Sequence, residues 1–125
     1  MILDTCALLW LVGQRENLSD ATLNAIEKSS NIAVSAITAF EIGQKYKRGL
    51  LELPLAPIPW FERALRVHRL TPLHLTPDIC LRATELPDIH KDPFDRLIIA
   101  TASAFDLAVV TKDPVFERYG IQTII

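Results

Sequence analysis

Four acidic side chains occupy positions from which they could act on one substrate. Two of them follow short apolar segments, one lies in an early helix and one in the first turn of a later helix; in that order they are Asp4, Asp113, Glu41 and Asp95. Carboxylates gathered in one place repel each other unless a cation neutralises them. Oxygen ligands favour Mg²⁺ or Mn²⁺, and such an ion can activate water and stabilise charge on a phosphoryl oxygen. If the four acids converge, the sequence therefore predicts phosphodiester hydrolysis.

Most of these acids, taken singly, also have a simpler explanation. Asp95 falls in the first turn of a helix, and Asp113 precedes Pro114 and fits a helix N-cap. Asp92 is interpreted as the cap of the helix that carries Asp95, with an outer-shell metal contact as the alternative. The residues at 76–78, Thr-Pro-Asp, repeat the cap, proline and acid pattern at another helix start. Only Asp4 resists this explanation, because an acid directly after a buried strand needs a partner.

Other polar residues flank the acids. Thr5 and Thr111 stand beside Asp4 and Asp113; each could orient a carboxylate or bind substrate, although a local turn hydrogen bond is the simpler expectation. Three cations border the acids and could neutralise them or hold phosphate, with ion pairing as the simpler expectation: Lys91, Arg96 and Lys112. The three histidines are scattered without ligand spacing and are interpreted as surface or structural residues: His68, His74 and His90.

The elements that must position these residues alternate between strands and helices. Short apolar strands are predicted at 2–3, 32–34, 73–75, 107–111 and 121–125. Helices are predicted at 5–12, 20–28, 36–48, 60–69, 77–86 and from 93 onward, with a short one after Asp113 and a proline-rich connector at 50–59. Fully apolar strands indicate a parallel sheet covered by helices on both faces, a three-layer α/β/α architecture. Because ligands bind at the carboxyl edge of such sheets, topology allows all four acids to meet there.

Composition limits the possibilities further. A chain of 125 residues fits one domain, spanning 1–125, and can bury a substantial core. The net charge of −2 argues against extensive electrostatic wrapping of nucleic acid, so an RNA or DNA substrate needs metal or local basic contacts. Two distant cysteines, Cys6 and Cys80, indicate neither a disulfide framework nor a zinc site and suggest a reducing, cytoplasmic location. No signal peptide or membrane-spanning segment is expected.

Four fragments in order, LDT at 3–5, SAITAFEIG at 35–43, HKDPFDRLIIATA at 90–102 and VVTKDPVFERYGI at 109–121, resemble PIN-domain proteins, specifically VapC-type toxins. The resemblance implies a five-stranded parallel sheet and a Mg²⁺- or Mn²⁺-dependent endoribonuclease that a cognate antitoxin holds inactive. It also implies a homodimer and an antitoxin tail lying in a groove that crosses the acidic site, near the basic cluster at 45–48, which alone would be a solvated helix end or a phosphate contact. Matched by motif, the catalytic and metal-binding residues are Asp4, Glu41, Asp95 and Asp113, and Thr111 takes the family's hydroxyl position. Cys6 departs from the pattern, since relatives often have histidine there.

Two other classes of function are compatible with a small parallel-sheet domain. A phosphoacceptor receiver domain needs an aspartate after its third strand, where this chain has His74, Leu75 and Thr76, and a lysine after its last strand, which is absent. A non-catalytic protein-binding module of the same fold, whose acids only cap helices, is the stronger alternative. Metal binding separates it from the nuclease, because scattered caps have no specific affinity for Mn²⁺.

Overall fold

Five short parallel strands form the central sheet of the computed structural model, which describes residues 1–125. The strands are β1 Ile2–Leu3, β2 Ile32–Ser35, β3 Leu70–Leu73, β4 Val109–Val110 and β5 Thr123–Ile124. Their order across the sheet is β3-β2-β1-β4-β5, so β1 is the central strand, with Ile2 opposite both Ala33 and Val109. The predicted five-stranded parallel sheet is confirmed.

Six α-helices connect and cover these strands. They are α1 Thr5–Gly13, α2 Asp20–Lys28, α3 Ala36–Lys47, α4 Pro57–Val67, α5 Pro77–Glu85 and α6 Pro93–Phe105, and two 3₁₀ helices, Arg15–Asn17 and Pro114–Tyr119, complete the connections. None of the helices is both long and apolar enough to cross a lipid bilayer.

The two faces of the sheet are buried by different helices. Successive side chains of a strand point to opposite faces, so Ile2 packs with Ile98 and Phe116 on one side. Leu3, its neighbour, packs with Leu8 of α1 and with other apolar residues on the opposite side. Both Ile2 and Leu3 are completely buried. Helices therefore cover both faces, and the predicted three-layer α/β/α architecture is confirmed.

Proline accounts for the two largest differences from the predicted elements. The third strand was predicted at 73–75 but is Leu70–Leu73, with Pro72 inside it. This is possible because β3 is an edge strand, where a residue without an N–H group can face solvent. Helix α4 was predicted to begin at Trp60 but begins at Pro57, since the first helical turn needs no N–H donors. The strands predicted at 107–111 and 121–125 also shorten to β4 and β5.

Arg96 holds the connection between α5 and α6 in place. Its Nη1 donates to the carbonyl oxygens of Pro87 and His90, each at 3.0 Å, and its Nη2 donates to those of Ala83 and Leu86, each at 2.9 Å. The expectation that Arg96 pairs with the acids is therefore wrong. A planar guanidinium with several fixed donors bonds four carbonyl groups at once, among them those of Ala83 and Leu86 at the end of α5, where helical carbonyls lack partners within the helix.

We expect Arg96→Met to lower the free energy of unfolding by about 2 to 3 kcal/mol, because hydrogen bonds that involve a charged group are lost and carbonyls are left unpaired. Urea denaturation at neutral pH measures this change. Arg82→Met is the matched control, since Arg82 only forms an exposed pair with Asp78 and its loss should cost less than about 1 kcal/mol. Equal effects of the two variants would contradict a structural role for Arg96.

Candidate active site

Asp4 lies at the centre of the carboxyl edge of the sheet, immediately after β1. Its side chain is 6% exposed, and Oδ1 accepts a 2.7 Å hydrogen bond from the Ala7 N–H, which makes Asp4 the N-cap of α1. Burial raises the pKa of Asp4 to about 6, although hydrogen bonds from the Thr111 side chain and the Ala7 N–H oppose the shift. The nearby charges of Asp95 and Glu41 raise this pKa further. Asp4 is thus a buried acid that gains from a neighbouring cation.

Glu41 borders the same region from α3, and both of its oxygens have partners. Thr5 Oγ1 donates to Glu41 Oε1 at 2.6 Å, and Thr5 also lies 3.2 Å from the Thr38 hydroxyl. Lys45, one turn further along α3, places its Nζ 2.9 Å from Glu41 Oε2. Thr5 therefore orients a carboxylate, and the basic cluster at 45–48 contributes one cation to the site.

Asp95 and Asp113 approach each other through a histidine. His90 Nε2 lies 2.8 Å from Asp95 Oδ2 and 3.8 Å from Asp113 Oδ2. Burial raises the pKa of Asp95, while the hydrogen bond with His90 acts in the opposite direction. His90 is thus a partly buried histidine satisfied by a hydrogen bond with Asp95, one of the two roles expected of it, but its position between two of the acids was not predicted. Its place in the loop directly before an acid-bearing helix start was the only signal in the sequence.

Capping and site formation turn out to be compatible roles. Asp113 Oδ1 accepts from the Val115 N–H at 3.0 Å and so caps the 3₁₀ helix, while Oδ2 faces His90. Asp92 caps α6 by accepting from the Phe94 N–H at 2.9 Å, as predicted, and it also lines the cavity that the other acids surround. A carboxylate has two oxygens, so one can cap a helix while the other points into a site.

A cavity of about 310 Å³ joins the acids. Its walls carry all four predicted acids together with Thr5, Cys6, Trp10, Lys45, Asp92 and Lys112. The ion pairs expected of Lys91 and Lys112 with these acids are absent; Lys112 Nζ instead lies 5.2 Å above the Trp10 ring. Thr111 is buried beside the cavity and accepts from the Asp113 N–H at 3.0 Å. None of the three histidines lines this cavity, and His90 is connected to it only through its contacts with Asp95 and Asp113.

The donor set fits a divalent cation. Five carboxylates surround the cavity, and Lys45 is the one lysine or arginine that pairs with any of them, through Glu41. Oxygen atoms from aspartates are the ligands that Mg²⁺ and Mn²⁺ prefer. His90, Asp95 and Asp113 also present one donor atom each within 4.8 Å of one another. The convergence predicted from the topology is therefore present in the structure.

Comparison with known proteins places this fold and acidic edge in a family. The PIN domain model matches residues 1–122, and the chain belongs to the PIN-domain family. Within that family it is 33% identical to Ribonuclease VapC22 of Mycobacterium tuberculosis, over 90% of this chain and 86% of that protein. The predicted family resemblance is confirmed.

Solved structures with lower identity share the fold. A chain in the crystal structure of VapBC2 from Rickettsia felis, bound to a DNA fragment from their promoter, aligns with a TM-score of 0.74 and 18% identity, over 98% of this chain and 96% of that one. A chain of DNA-bound VapBC from Salmonella typhimurium aligns with a TM-score of 0.69 and 23% identity, over 98% and 95%.

The buried charge of Asp4 should make the metal-free protein less stable as the pH rises. A pKa raised from about 3.8 to about 6 on folding adds stability that is fully present below about pH 3.8 and is lost as the pH rises through about 6. Asp4→Asn keeps a capping oxygen but removes the charge. We therefore expect the free energy of unfolding of this variant, measured by urea denaturation at pH 7.5, to exceed that of the wild type by about 2 to 3 kcal/mol. The gain should vanish near pH 4.

Asp113→Asn is the matched control for this pH series. Asp113 also caps a helix start but its side chain is 36% exposed, so removal of its charge should stabilise the protein less than Asp4→Asn. A pH-independent difference between Asp4→Asn and the wild type would contradict the burial argument. Both series are run with EDTA, because with a bound cation the loss of a carboxylate would lower the stability of the protein instead of raising it.

Proposed function

We propose that the protein is a metal-dependent endoribonuclease that acts as the toxin of a toxin-antitoxin pair. The convergence of Asp4, Asp95 and Asp113 on one cavity at the carboxyl edge of the sheet carries this proposal. The substrate class is supported by the 33% identity with a protein named as a ribonuclease. RNA as substrate also agrees with a cytoplasmic location, which we propose together with the activity.

The metal would be Mg²⁺ or Mn²⁺, held by Asp4, Asp95 and Asp113 with Glu41 at the border of the site. When bound, the ion supplies an activated water and stabilises negative charge on a phosphoryl oxygen. Glu41 is already fixed by Thr5 and Lys45, so its carboxylate is rigid before any ligand arrives. Rigid placement of this kind reduces the reorganisation needed during the reaction.

The protein's own cations and hydroxyls would position the RNA backbone. The chain is net acidic, so phosphate contacts must come from local positive charges rather than from a basic surface. Lys112 is exposed at the cavity, and the aromatic ring of Trp10 lies under its ammonium group. Lys45 faces the cavity from α3. The Thr111 hydroxyl accepts from the Asp113 backbone N–H and lowers the pKa of Asp4, so it lies between these two acids.

We expect purified protein free of antitoxin to cut total cellular RNA at discrete positions in Mg²⁺ or Mn²⁺. EDTA should abolish the cleavage, and Asp4→Asn and Asp95→Asn should each lower its rate at least about a hundredfold, because electrostatic stabilisation of the reacting phosphate is lost. Mapping of new RNA ends measures the effect. Asp78→Asn is the matched control, since Asp78 follows the same cap and proline pattern but lies on the surface beside Arg82.

Cleavage that persists in both cavity variants would contradict the proposed site. Absence of cleavage, together with Mn²⁺ binding no tighter than in Asp4→Asn, would favour the non-catalytic protein-binding module. Isothermal titration with Mn²⁺ decides between these outcomes without any assumption about the RNA sequence.

The antitoxin partner and a homodimer are further parts of the proposal. Structural neighbours of this chain occur in structures described as VapBC. A largely apolar groove of about 610 Å³ lies between α3 and α4, and it exposes Phe40 and Ile58, which are 59% and 74% accessible. Lys47 lines this groove and Lys45 lines the acidic cavity, so α3 joins the two. An antitoxin could place an apolar helix in the groove and extend a tail into the acidic cavity.

We expect Ile58→Asp to weaken binding of the cognate antitoxin at least about tenfold, because an apolar contact is replaced by a charge. Leu81→Asp is the control, since Leu81 is similarly exposed, at 64%, but lies on α5. Isothermal titration measures both, and sedimentation equilibrium of the free protein tests the homodimer. Equal weakening by the two variants, or none by Ile58→Asp, would exclude the groove.

A further inference from the structure

We propose that His90 is a direct nitrogen ligand of the divalent ion, so that the metal centre is a mixed histidine and carboxylate site. The inference rests on the proposed function, because it concerns Asp95 and Asp113, two of the acids that line the cavity and that His90 contacts. It adds a nitrogen ligand to the proposed metal site, whereas the four acids supply only oxygen ligands. The juxtaposition that carries it is His90 Nε2 between the Oδ2 atoms of Asp95 and Asp113.

The distances suit three ligands of one ion. Neighbouring ligands of an octahedral ion at about 2.1 Å lie roughly 3 Å apart. The His90 Nε2 to Asp95 Oδ2 distance is 2.8 Å, and the distance from Nε2 to Asp113 Oδ2 is 3.8 Å. All three donor atoms lie within 4.8 Å of one another, and an ion bound among them would replace the direct contact between His90 and Asp95.

The backbone around His90 is fixed from both sides. The His90 N–H donates to the Tyr119 hydroxyl at 2.8 Å, and the His90 carbonyl accepts from Arg96 Nη1 at 3.0 Å. Tyr119 in turn donates to the Pro87 carbonyl at 2.8 Å. Because these contacts use only the backbone of His90, its imidazole is free to face the two aspartates. The polar contacts of the ring are therefore those of Nε2 with Asp95 and Asp113.

Two roles of His90 must be distinguished. If the imidazole only donates an N–H to Asp95, it orients that acid and stays outside the metal shell. If it presents its lone pair, it becomes a ligand and changes which metals bind. Imidazole nitrogen is softer than carboxylate oxygen and favours transition metals over Mg²⁺. Direct ligation therefore predicts that His90 contributes more to binding of Mn²⁺ than to binding of Mg²⁺.

The test is electron spin-echo envelope modulation of the full-length protein loaded with Mn²⁺ at about pH 8. A directly bound imidazole gives ¹⁴N modulation, which should convert to the ¹⁵N pattern when the histidines are ¹⁵N-labelled. We expect His90→Gln to remove the modulation and His74→Gln, a change at an exposed histidine outside the cavity, to retain it. Titration should show that His90→Gln weakens Mn²⁺ binding about tenfold and Mg²⁺ binding less.

The outcomes separate this inference from the nuclease proposal. Bound Mn²⁺ without histidine ¹⁴N modulation would overturn ligation by His90, yet leave the carboxylate site and the RNA cleavage intact. Failure to bind Mn²⁺ at all would overturn both. Cooperative urea unfolding of His90→Gln in EDTA, at a free energy within about 1 kcal/mol of the wild type, confirms that the fold survives, because only the side-chain hydrogen bond with Asp95 is changed and the backbone contacts of residue 90 remain.

Discussion

Burial of a carboxylate at the end of the central strand is the constraint on which the rest of the site depends. β1 has only two residues and lies between β2 and β4, so the residue that follows it is surrounded by the sheet edge. That residue is Asp4, and burial of its charge is costly, as its raised pKa shows. The hydrogen bonds of Asp4 with Ala7 and Thr111 reduce this cost but do not remove it.

The starts of three helices also reduce the cost of gathering negative charge at this edge of the sheet. α1 begins after Asp4, α6 begins after Asp92, and the 3₁₀ helix begins after Asp113, so three sets of free N–H groups point toward the acidic edge. The positive ends of the helix dipoles stabilise negative charge there. Alternation of strand and helix in a parallel sheet produces this arrangement for α1 and the last 3₁₀ helix, which directly follow β1 and β4, while α6 runs back to the start of β4 and so begins at the same edge. The fold thus offsets, in part, the repulsion among the acids that it gathers.

Local signals explain which parts could be predicted from the sequence. Apolar strands and the cap and proline pairs at Asp92 and Asp113 gave the sheet, the starts of α6 and the last 3₁₀ helix, and the edge where the acids meet. The start of β3, with Pro72 inside it, and the contacts of His90 with two acids were not predicted, since both depend on parts of the chain distant in sequence. An edge position makes Pro72 tolerable in β3, and Tyr119, 29 residues away, fixes the backbone of His90. Neither partner leaves a periodic signal.

The two sides of the cavity differ in how far their negative charge is neutralised, and this difference indicates where a cation would bind. On the α3 side, Lys45 already neutralises Glu41, and Thr5 satisfies its other oxygen. On the opposite side, Asp95 and Asp113 pair with no lysine or arginine; the ring of His90 contacts both, while Lys112 is turned over Trp10. The negative charge that no lysine or arginine neutralises is therefore concentrated between Asp4, Asp95 and Asp113. A divalent ion bound there relieves repulsion that hydrogen bonds offset only in part, whereas an ion beside Glu41 would compete with Lys45.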